Sequence, residues 1–569
     1  MLLSNLDLLA TAPGGVARLR ELILTLAVQG KLVPQDPADE PAGVLLQKIR
    51  VEKDRLIAEG KIKRDKPLAE IAEEEKPFEL PVGWEWVRLS ALLQKIGAGS
   101  TPLGGREVYV ASGVKFLRSQ NVWDEGLRLD GVAFIKPETH AKMVGTVVVA
   151  NDLLFNITGA SIGRCAVVPS DFDEANVSQH VTIIRAVLPE LNAFLHKVLV
   201  SRHVQKTVMD VQVGVSREGL SIAKLGQFLI PLPPLAEQSR IVTRVDELMR
   251  LCDALEAKSQ LEAAQHAQLV CTLLGALTAS TTPEELADNW QRVAQHFDLL
   301  LDRPEAIDAL EQTLLQLAVR GLLVPQDPTD EPASALLQKI RAEKDRLIAT
   351  GQIKRDKPLP PITDEEKPFE LPVGWEWVHL SDVCLQITDG THQTPKYTPT
   401  GRPFLSAKNV KPFRFMPFPH RFISEEDFYL LRKGRIPAVG DVLMTRVGAM
   451  IGEAAEIDVD IEFAFYVSLA LLSLPTPFLV PKFLVMWLNS PFGTANSVEK
   501  TLGRGVSAGN LNLSFIRFFS IPLPPLAEQS RIVTRVTALR RLCADLRQRL
   551  AERDAVQARL AEALVASVA

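Results

Sequence analysis

The residues with the right chemistry for catalysis lack the spacing that catalysis requires. The glycine-rich turn at 97–102, Gly-Ala-Gly-Ser-Thr-Pro, lacks the third glycine of a dinucleotide fingerprint and the Gly-Lys-Ser/Thr of a phosphate loop. The carboxylates of Glu73–Glu75 could act as acids or bases, but no histidine or metal-ligand pattern accompanies them, which favours a solvated linker. His180, His392 and the scattered serines form no recognisable triad. Together these absences favour a binding protein over an enzyme.

The cysteines indicate neither a metal centre nor a disulfide framework. They are few, odd in number and without Cys-x-x-Cys spacing: Cys165, Cys252, Cys271, Cys384 and Cys543. This pattern fits a reducing cytoplasm. The first residues lack the basic stretch of a signal peptide. Prolines interrupt the longest uncharged run, 463–481, so that run predicts buried strands and not a membrane helix. The sequence therefore predicts a cytoplasmic protein.

The chain is one unit written twice. Two blocks occur in both copies without change, IPLPPLAEQSRIVTRV at 230–245 and 521–536, and KPFELPVGWEWV at 76–87 and 367–378. Both blocks repeat at an offset of 291 residues. We call the shared parts the frames, and the dissimilar segments between the blocks, 88–229 and 379–520, the inserts. Because the frames are near-identical and the inserts are dissimilar, the frames are expected to bind something common to both halves, and the inserts two different things.

Hydrophobic periodicity predicts helices in the frames. The predicted helices are 15–30, 42–59 with its copy 333–350, 234–276 and 525–567. The last two carry apolar residues at alternating spacings of four and three, as at Ile241, Val245 and Leu248, which is a heptad seam. Two such helices would bury their seams most economically against each other, as an antiparallel coiled coil. Thr282 is expected to cap a further helix after a break in the chain.

The inserts are predicted to be mixed α/β domains. Short β-rich runs predict strands at 147–150, 181–184 and 442–445. Helices are expected near 191–209 and 481–490. Faint similarity between the inserts, such as Gly-Val-Ser at 214–216 and at 505–507, predicts one fold with different surface side chains. The fold class is therefore α+β, with two mixed α/β domains separated by long helices and an internal repeat.

Two tryptophans open each insert and could serve either the core or a ligand. Trp84 and Trp86 alternate with polar residues, as in a strand with one buried face. This spacing favours anchors in the core over a platform on which bases stack.

The charge distribution is compatible with DNA contact. The net charge of −5 does not indicate a nucleic-acid binder, but each insert has a small excess of basic residues whereas the frames are acidic. A basic footprint confined to particular domains is what DNA contact requires, because phosphate neutralisation supplies most of the affinity. The excess is small, and ordinary surface charge explains it equally well.

The duplicated helix led by PLPPLAEQ, the frame KPFELPxGWEW and the two divergent inserts resemble the specificity subunit of Type I restriction-modification systems. The resemblance covers essentially the whole chain. It implies that the inserts are target recognition domains, each reading one half of a split DNA sequence, and that the frames form a pseudo-twofold, circular arrangement. By position it implies an N-terminal helical region, a first recognition domain, a central helical region, a second recognition domain and a C-terminal helix at 1–86, 87–229, 230–377, 378–520 and 521–569.

The resemblance also implies which partners carry the chemistry. Two methyltransferase subunits would dock on the long helices, restriction subunits would then join, and double-stranded DNA would be the ligand. S-adenosylmethionine, and the ATP and Mg²⁺ of restriction, would bind in those partners. This chain is then expected to be non-catalytic, to bind no cofactor or metal and to have no membrane contact.

Base reading requires hydrogen-bonding side chains at the groove edges of DNA. Such side chains on predicted loops are the candidate DNA contacts. In the first domain they are Thr101, Arg118, Gln120, Asn121, Asn156 and Arg217, and in the second Thr391, His392, Lys396, Lys408, Asn409, Arg446 and Arg504. For each of them, a structural role or a phosphate contact is an equally good alternative.

Two other functions remain open. The chain could be a duplicated coiled-coil scaffold that binds proteins and no DNA, although a scaffold has no reason to diversify only in the inserts. It could also be an enzyme in its own right, but that requires an unrecognised site within the inserts.

Overall fold

The computed structural model describes residues 6–64, 68–213, 219–434, 436–501 and 509–566. The described residues divide into two units, one drawn from 1–262 and 554–569 and the other from 263–553. The first long helix, Leu235–Ala279, begins in the first unit and ends in the second, whereas the second long helix, Leu526–Ala566, does the reverse. Each unit therefore holds one frame, one insert and parts of both long helices.

The first unit places the insert between the two blocks of its frame. Its helices, apart from the long ones, are Leu6–Thr11, Gly15–Val28, Ala42–Ala58, Pro137–Lys142, Asn192–Leu199, Arg202–Val213 and Ile222–Gly226. Its strands are Glu85–Arg88, Leu93–Ala98, Tyr109–Val110, Val114–Leu117, Val122–Trp123, Gly126–Leu127, Ala133–Ile135, Val147–Val148, Leu153–Asn156, Cys165–Val167, Ala175–Val177, Val181–Ala186 and Leu229–Leu232.

The second unit repeats this order. Its helices are Pro283–Gln295, Phe297–Leu300, Pro304–Val319, Ala333–Ala349, Leu380–Val383, Glu425–Arg432, Pro481–Leu488, Pro491–Glu499 and Leu513–Arg517. Its strands are Glu376–His379, Gln386–Asp389, Tyr397–Thr398, Arg402–Leu405, Val410–Lys411, Arg414–Phe415, Arg421–Ile423, Val442–Thr445, Ala454–Glu456, Ala464–Phe465, Leu469–Ser473 and Ser520–Leu523.

The two inserts share one sheet topology despite their dissimilar sequences. In the first, a four-stranded sheet has the order 165–167, 153–156, 181–186, 93–98, and in the second the order 454–456, 442–445, 469–473, 386–389 is equivalent. A second sheet contains a parallel pair in each insert, and apolar side chains of both sheets share one core cluster. The predicted α+β class with an internal repeat is confirmed.

The two repeated blocks of each frame pair with each other. Strand Glu85–Arg88 runs antiparallel to Leu229–Leu232, with Val87 opposite Ile230, and Glu376–His379 pairs with Ser520–Leu523 in the same register. Each insert therefore begins and ends at one two-stranded ribbon. This closure explains why both blocks are shared while the sequence between them is free to differ.

A buried hydrogen bond fastens each ribbon to its long helix. Trp84 Nε1 donates to Glu237 Oε2 at 3.0 Å, and Trp375 Nε1 donates to Glu528 Oε2 at 2.9 Å. Both carboxylates are buried in the first turn of a long helix, where the helix dipole favours negative charge. Burial raises the pKa of Glu237, and the indole hydrogen bond acts in the opposite direction. We call these two contacts the frame locks.

We call Gly15–Val28 and Pro304–Val319 the frame helices. The glycine after each frame helix packs against the tryptophan of the frame lock in its own unit. Gly30 has a φ of +69°, and a Cβ there would lie 2.4 Å from Pro81 Cγ and 3.0 Å from Trp84 Cζ2. Gly321 is equivalent, with the corresponding distances 2.5 and 3.0 Å to Pro372 and Trp375. Both the left-handed backbone and the close approach therefore require glycine.

The apolar seam residues of the long helices pack in some turns against the frame and in others against the other long helix. In the first unit, Ile241, Val245 and Cys252 lie in one cluster with frame-helix residues and with Ala561 and Val565 of the second long helix. In the second unit, Ile532 and Val536 pack against the frame. Farther along, Leu539, Cys543 and Leu546 join Val270, Leu274 and Leu277 of the first long helix in another cluster. The first turns of each seam thus bind the frame, and a coiled coil along the full length of the helices stays a prediction.

Most predicted elements are present, with small differences at their ends. Thr282 caps the helix that follows it, accepting a hydrogen bond from Glu285 N at 3.1 Å. The helix expected near 191–209 is instead two helices, because the chain turns at Ser201, whose buried hydroxyl donates to Val198 O at 2.6 Å. The five cysteines are free thiols. Among the described residues, no helix combines the length and the apolar character needed to cross a membrane.

The frame lock predicts a specific loss of stability. Trp84→Phe keeps a ring near Phe194 but removes the donor, which leaves the buried Glu237 carboxylate with one partner fewer. We expect the free energy of unfolding to fall by about 1.5–3 kcal/mol. Urea denaturation followed by circular dichroism measures it. Trp375→Phe should give a matching loss, whereas Trp290→Phe, at a partly exposed site, should change it by less than about 0.5 kcal/mol. Equal effects at Trp84 and Trp290 would contradict the lock.

Candidate functional site

Four loops of the first insert converge at one end of its sheets. We call them the first loop edge, and they comprise 99–101, 118–121, 156–164 and 178–180. Backbone hydrogen bonds hold them together: Ser100 N donates to Val177 O at 3.1 Å, Ser178 N to Leu117 O at 2.9 Å, and Ile157 N to His180 O at 3.0 Å. The edge therefore has a fixed backbone on which exposed side chains can be presented.

The second insert builds the same edge with the same bonds. The second loop edge comprises 390–394, 406–409, 445–452 and 466–468. Its hydrogen bonds run from Thr391 N to Phe465 O at 3.0 Å, from Tyr466 N to Leu405 O at 2.9 Å and from Arg446 N to Ser468 O at 2.9 Å. Because each of these bonds has a counterpart in the first edge, the two edges align residue by residue.

A glycine in each edge allows two strands to cross closely. A Cβ at Gly99 would lie 2.0 Å from Val177 O, and one at Gly390 would lie 2.1 Å from Phe465 O. No side chain fits there without moving the backbone. Glycine at both positions, which are offset by the same 291 residues as the frames, fixes the start of each edge.

Three candidate contacts are buried amides that shape the turns. Asn121 accepts from Arg118 N at 3.0 Å and donates to Arg128 O at 2.8 Å, and Asn409 accepts from Ser406 N at 3.0 Å and donates to Met416 O at 2.9 Å. Asn156 is fully buried, and its amide donates to Ser119 O at 2.9 Å. Within this structure these side chains position their loops.

Arg446 is also buried, at the centre of the second loop edge. Its guanidinium lies 2.9 Å from Asp389 Oδ2 and donates to Val467 O at 3.0 Å and to Leu511 O at 3.0 Å. Burial lowers the pKa of Arg446, and the Asp389 carboxylate opposes that shift. Thr391 is buried beside this network. Arg446 therefore ties the edge to the end of strand Gln386–Asp389 and to Leu511.

The remaining candidates are at the surface or outside the described residues. Thr101, Gln120, His392, Lys396 and Lys408 are exposed, and Arg118 is half-buried. The Thr101 hydroxyl donates to Gln179 Oε1, and His392 Nε2 lies 3.1 Å from Asp389 Oδ2. Arg217 and Arg504 lie outside the residues that the structure describes.

The sequence analysis did not include Gln179 and His180 among the candidate DNA contacts. Both are exposed in the first loop edge, and His180 Nδ1 lies 2.6 Å from the Thr158 hydroxyl. They immediately precede strand Val181–Ala186, which was correctly placed from its β-rich run. The signal was therefore present: polar residues at the end of a predicted strand join the loops at that end of the sheet.

The aligned positions differ in chemistry. Thr101 corresponds to His392, Gln120 to Lys408, Gln179 to Val467 and His180 to Ser468. A neutral amide in one edge thus becomes an ammonium group in the other. The buried asparagines Asn121 and Asn409, by contrast, are identical. The exposed pair Gln120 and Lys408 thus differs in chemistry, and so does a buried pair, since Ile157 corresponds to Arg446.

The first edge also carries two fixed positive charges. The guanidinium carbons of Arg128 and Arg164 lie 3.6 and 3.7 Å from the centre of the Trp123 ring, within the range of cation–π contacts. Trp123 Nε1 donates to Gln120 O at 2.8 Å, which places this stack beside the edge. In the second insert Lys411, Met416 and Glu453 take these positions, and Lys411 pairs with Glu453 at 3.6 Å.

No metal centre emerges from the part of the chain that the structure describes. Within it, no group of three or more His, Cys, Asp or Glu side chains is placed to hold a metal ion.

Comparison with known proteins gives concordant matches. The family model described as "Type I restriction modification DNA specificity domain" matches residues 81–265 and 372–553, which together are more than half of the chain. The Type I restriction enzyme EcoAI specificity subunit of Escherichia coli is 36% identical over 564 residues, 97% of this chain and 93% of that protein.

Two further matches are a second relative and a solved structure. The EcoEI specificity subunit of Escherichia coli is also 36% identical, over 571 residues, with the same coverage of 97% and 93%. A solved structure from work on complex assembly and conformational transition of the type I R-M system has a TM-score of 0.48 at 20% identity, covering 86% of this chain and 99% of that one.

The buried arginine network predicts a large effect on stability. Arg446→Met would remove the arginine partner of the Asp389 carboxylate and the donor to the carbonyls of Val467 and Leu511. We expect the free energy of unfolding of the second unit to fall by about 3–5 kcal/mol. Lys408→Met, at an exposed position of the same edge, should cost less than about 0.5 kcal/mol. Thermal or urea unfolding compares the two variants, and a loss at Arg446 no larger than that at Lys408 would show that the network is not structural.

Proposed function

We propose that this chain, which belongs to the Type I restriction modification DNA specificity family, selects the target of a Type I restriction-modification complex by reading one half of a bipartite DNA sequence with each loop edge. The observation that carries this proposal is the alignment of the two edges. Their backbones and the buried asparagines Asn121 and Asn409 correspond, while exposed side chains such as Gln120 and Lys408 differ. Two surfaces built in this way suit one class of ligand in two sequence forms.

The exposed side chains have the chemistry that base reading needs. Glutamine can bind the edge of adenine with two hydrogen bonds, and lysine donates to the acceptors of guanine. Gln120 and Lys408 occupy aligned, exposed positions at the tips of equivalent turns. We assign sequence reading to such exposed residues, and the positioning of their loops to Asn121, Asn409 and Arg446. Lys396, Arg128 and Arg164 are suited to phosphate contacts, which orient the DNA without reading it.

The frames are suited to a partner common to both halves. Besides the locks, both frames present the same valine to solvent: Val82 is 98% exposed and Val373 is 100% exposed. Each lies between a proline and a glycine of positive φ, on a turn beside the frame lock. We assign the docking of one methyltransferase subunit to each frame. Methyl transfer and DNA cleavage, with their cofactors S-adenosylmethionine, ATP and Mg²⁺, then belong to partner subunits, and this chain is non-catalytic.

Gln120→Lys tests the reading assignment because it gives the first edge the side chain of the second. We expect the methylated motif to change at one position of one half, because a single aligned contact changes its preference. Single-molecule sequencing of DNA from cells that co-express the chain with its methyltransferase partner gives the motif. Gln227→Lys, an exposed exchange outside the edge, is the matched control and should leave the motif unchanged. An unchanged motif in the Gln120 variant, or a change in both halves, would contradict the assignment.

If a stable complex forms but no DNA is methylated by the unmodified chain, the scaffold function is favoured instead.

Val82→Asp and Val373→Asp test the docking assignment. Each single variant should reduce the number of bound methyltransferase subunits from two to one, because a charge replaces an apolar contact at one frame. Native mass spectrometry of the co-purified complex counts the subunits. Val51→Asp, at a position 70% exposed on the helix Ala42–Ala58, should leave the number unchanged. A double variant that still binds two subunits would rule out this docking site.

A further inference from the structure

The contacts that lock the two frames are chemically identical. The frame locks use a tryptophan and a glutamate in both copies. An ion pair beside each lock also repeats, Arg240–Asp39 at 2.6 Å and Arg531–Asp330 at 2.7 Å. The start of either long helix would therefore find the same hydrogen-bonding and ion-pair partners in either frame. These contacts alone therefore give a frame no preference for one long helix over the other.

Farther along each long helix the contacts reverse in sign. In the first unit the frame helix Gly15–Val28 supplies the cation, since Arg20 lies 2.7 Å from Asp253 and 3.0 Å from Glu256. In the second unit the frame helix Pro304–Val319 supplies the anion. Its Glu311 lies 2.6 Å from Arg540 and 2.6 Å from Arg547.

These ion pairs occupy equivalent positions. Arg20 and Glu311 are separated by the 291 residues that separate the frames, and so are Glu256 and Arg547. Arg540 takes the position of Met249, and the position of Asp253 is an alanine in the second copy. One ion pair is thus present twice with its charges exchanged, in a contact between frame helix and long helix, here called the junction, whose lock and Arg–Asp pair are the same in both units.

The reversed pairs are well placed to influence docking. The side chain of Glu311 is 11% exposed, and its two arginine partners are about one-third exposed, so salt screens them less than a surface pair. Arg540 is further held by Phe413, whose ring centre lies 3.6 Å from its guanidinium carbon. Burial alone would raise the pKa of Glu311, but the hydrogen bonds from Arg540 and Arg547 outweigh it and the pKa lies below its usual value.

We propose that the reversed ion pairs form a pairing code that restricts each frame helix to the long helix of its own unit. If the first frame helix docked on the second long helix, Arg20 would face Arg540 and Arg547. In the opposite exchange, Glu311 would face Asp253 and Glu256. Both wrong pairings oppose like charges. The code prevents a frame helix from docking on the wrong long helix of the same chain. Above all, it prevents docking on the wrong long helix of a second copy, because the identical locks would otherwise permit two copies to exchange frames.

A same-sign variant tests the code in the full-length chain. It gives the first junction the charges of the second by Ala17→Asp, Arg20→Glu, Met249→Arg, Asp253→Ala and Glu256→Arg. Each junction then keeps an attractive pair, but the two no longer differ. Two differently tagged copies are co-expressed, and the fraction of one recovered with the other is measured. We expect co-recovery to rise several-fold over the unmodified chain.

An inverted variant is the matched control. It adds the complementary changes in the second junction, Asp308→Ala, Glu311→Arg, Arg540→Met, Ala544→Asp and Arg547→Glu. The code is then restored with its signs exchanged, so co-recovery should return to the level of the unmodified chain. Co-recovery that does not rise in the same-sign variant, or that stays equally high in the inverted variant, would overturn the proposal.

The unmodified chain gives a test that does not depend on how the variants fold. Two tagged copies are unfolded together in urea and refolded over a series of NaCl concentrations. Because salt screens the discriminating charges, mixed dimers should increase with ionic strength. A mixed fraction that is the same at every salt concentration would also overturn the pairing code.

Discussion

A carboxylate buried in the first turn of each long helix is stable because an indole N–H from the frame points at it. Desolvating such a group without a donor is costly, so the tryptophan and the glutamate must be kept together. The tryptophan leads into the ribbon strand that opens each insert, and the glutamate follows the strand that closes it. The ribbon joins the two ends of an insert of about 140 residues, and this hydrogen bond fastens the ribbon to the long helix, whatever the sequence of the insert.

That constraint separates what is constant from what varies. The inserts keep a strand order, a glycine crossing and a buried asparagine, which together hold a loop edge in place. Outside these features the exposed positions are free to change, and they do, from an amide at Gln120 to an ammonium group at Lys408. A rigid support with replaceable polar side chains is what discrimination between DNA sequences requires. The proposed function thus follows from the way the frame carries the insert.

Local patterns in the sequence predicted the frames well, because a repeat and a helical period need no tertiary information. Thr282 as a helix cap and the long helices are examples. The loop residues were harder, because polar side chains on a predicted loop look alike whether they face solvent or the core. Asn121 and Arg446 proved to be buried, whereas Gln120 is exposed. The exchanged charges at Arg20 and Glu311 were visible in the alignment of the two frames, but only the structure shows that they pair with Glu256 and Arg547.

In the proposed function the two loop edges perform the same task on different sequences. The most direct test replaces the second insert, 379–520, by the first, 88–229, and maps the methylated motif produced with the methyltransferase partner. If each edge reads one half, the chimera must direct methylation to a motif whose two halves are identical, each matching one half of the motif of the unmodified chain. A complex that assembles normally but still methylates the original motif, or a motif with two unlike halves, would contradict this account.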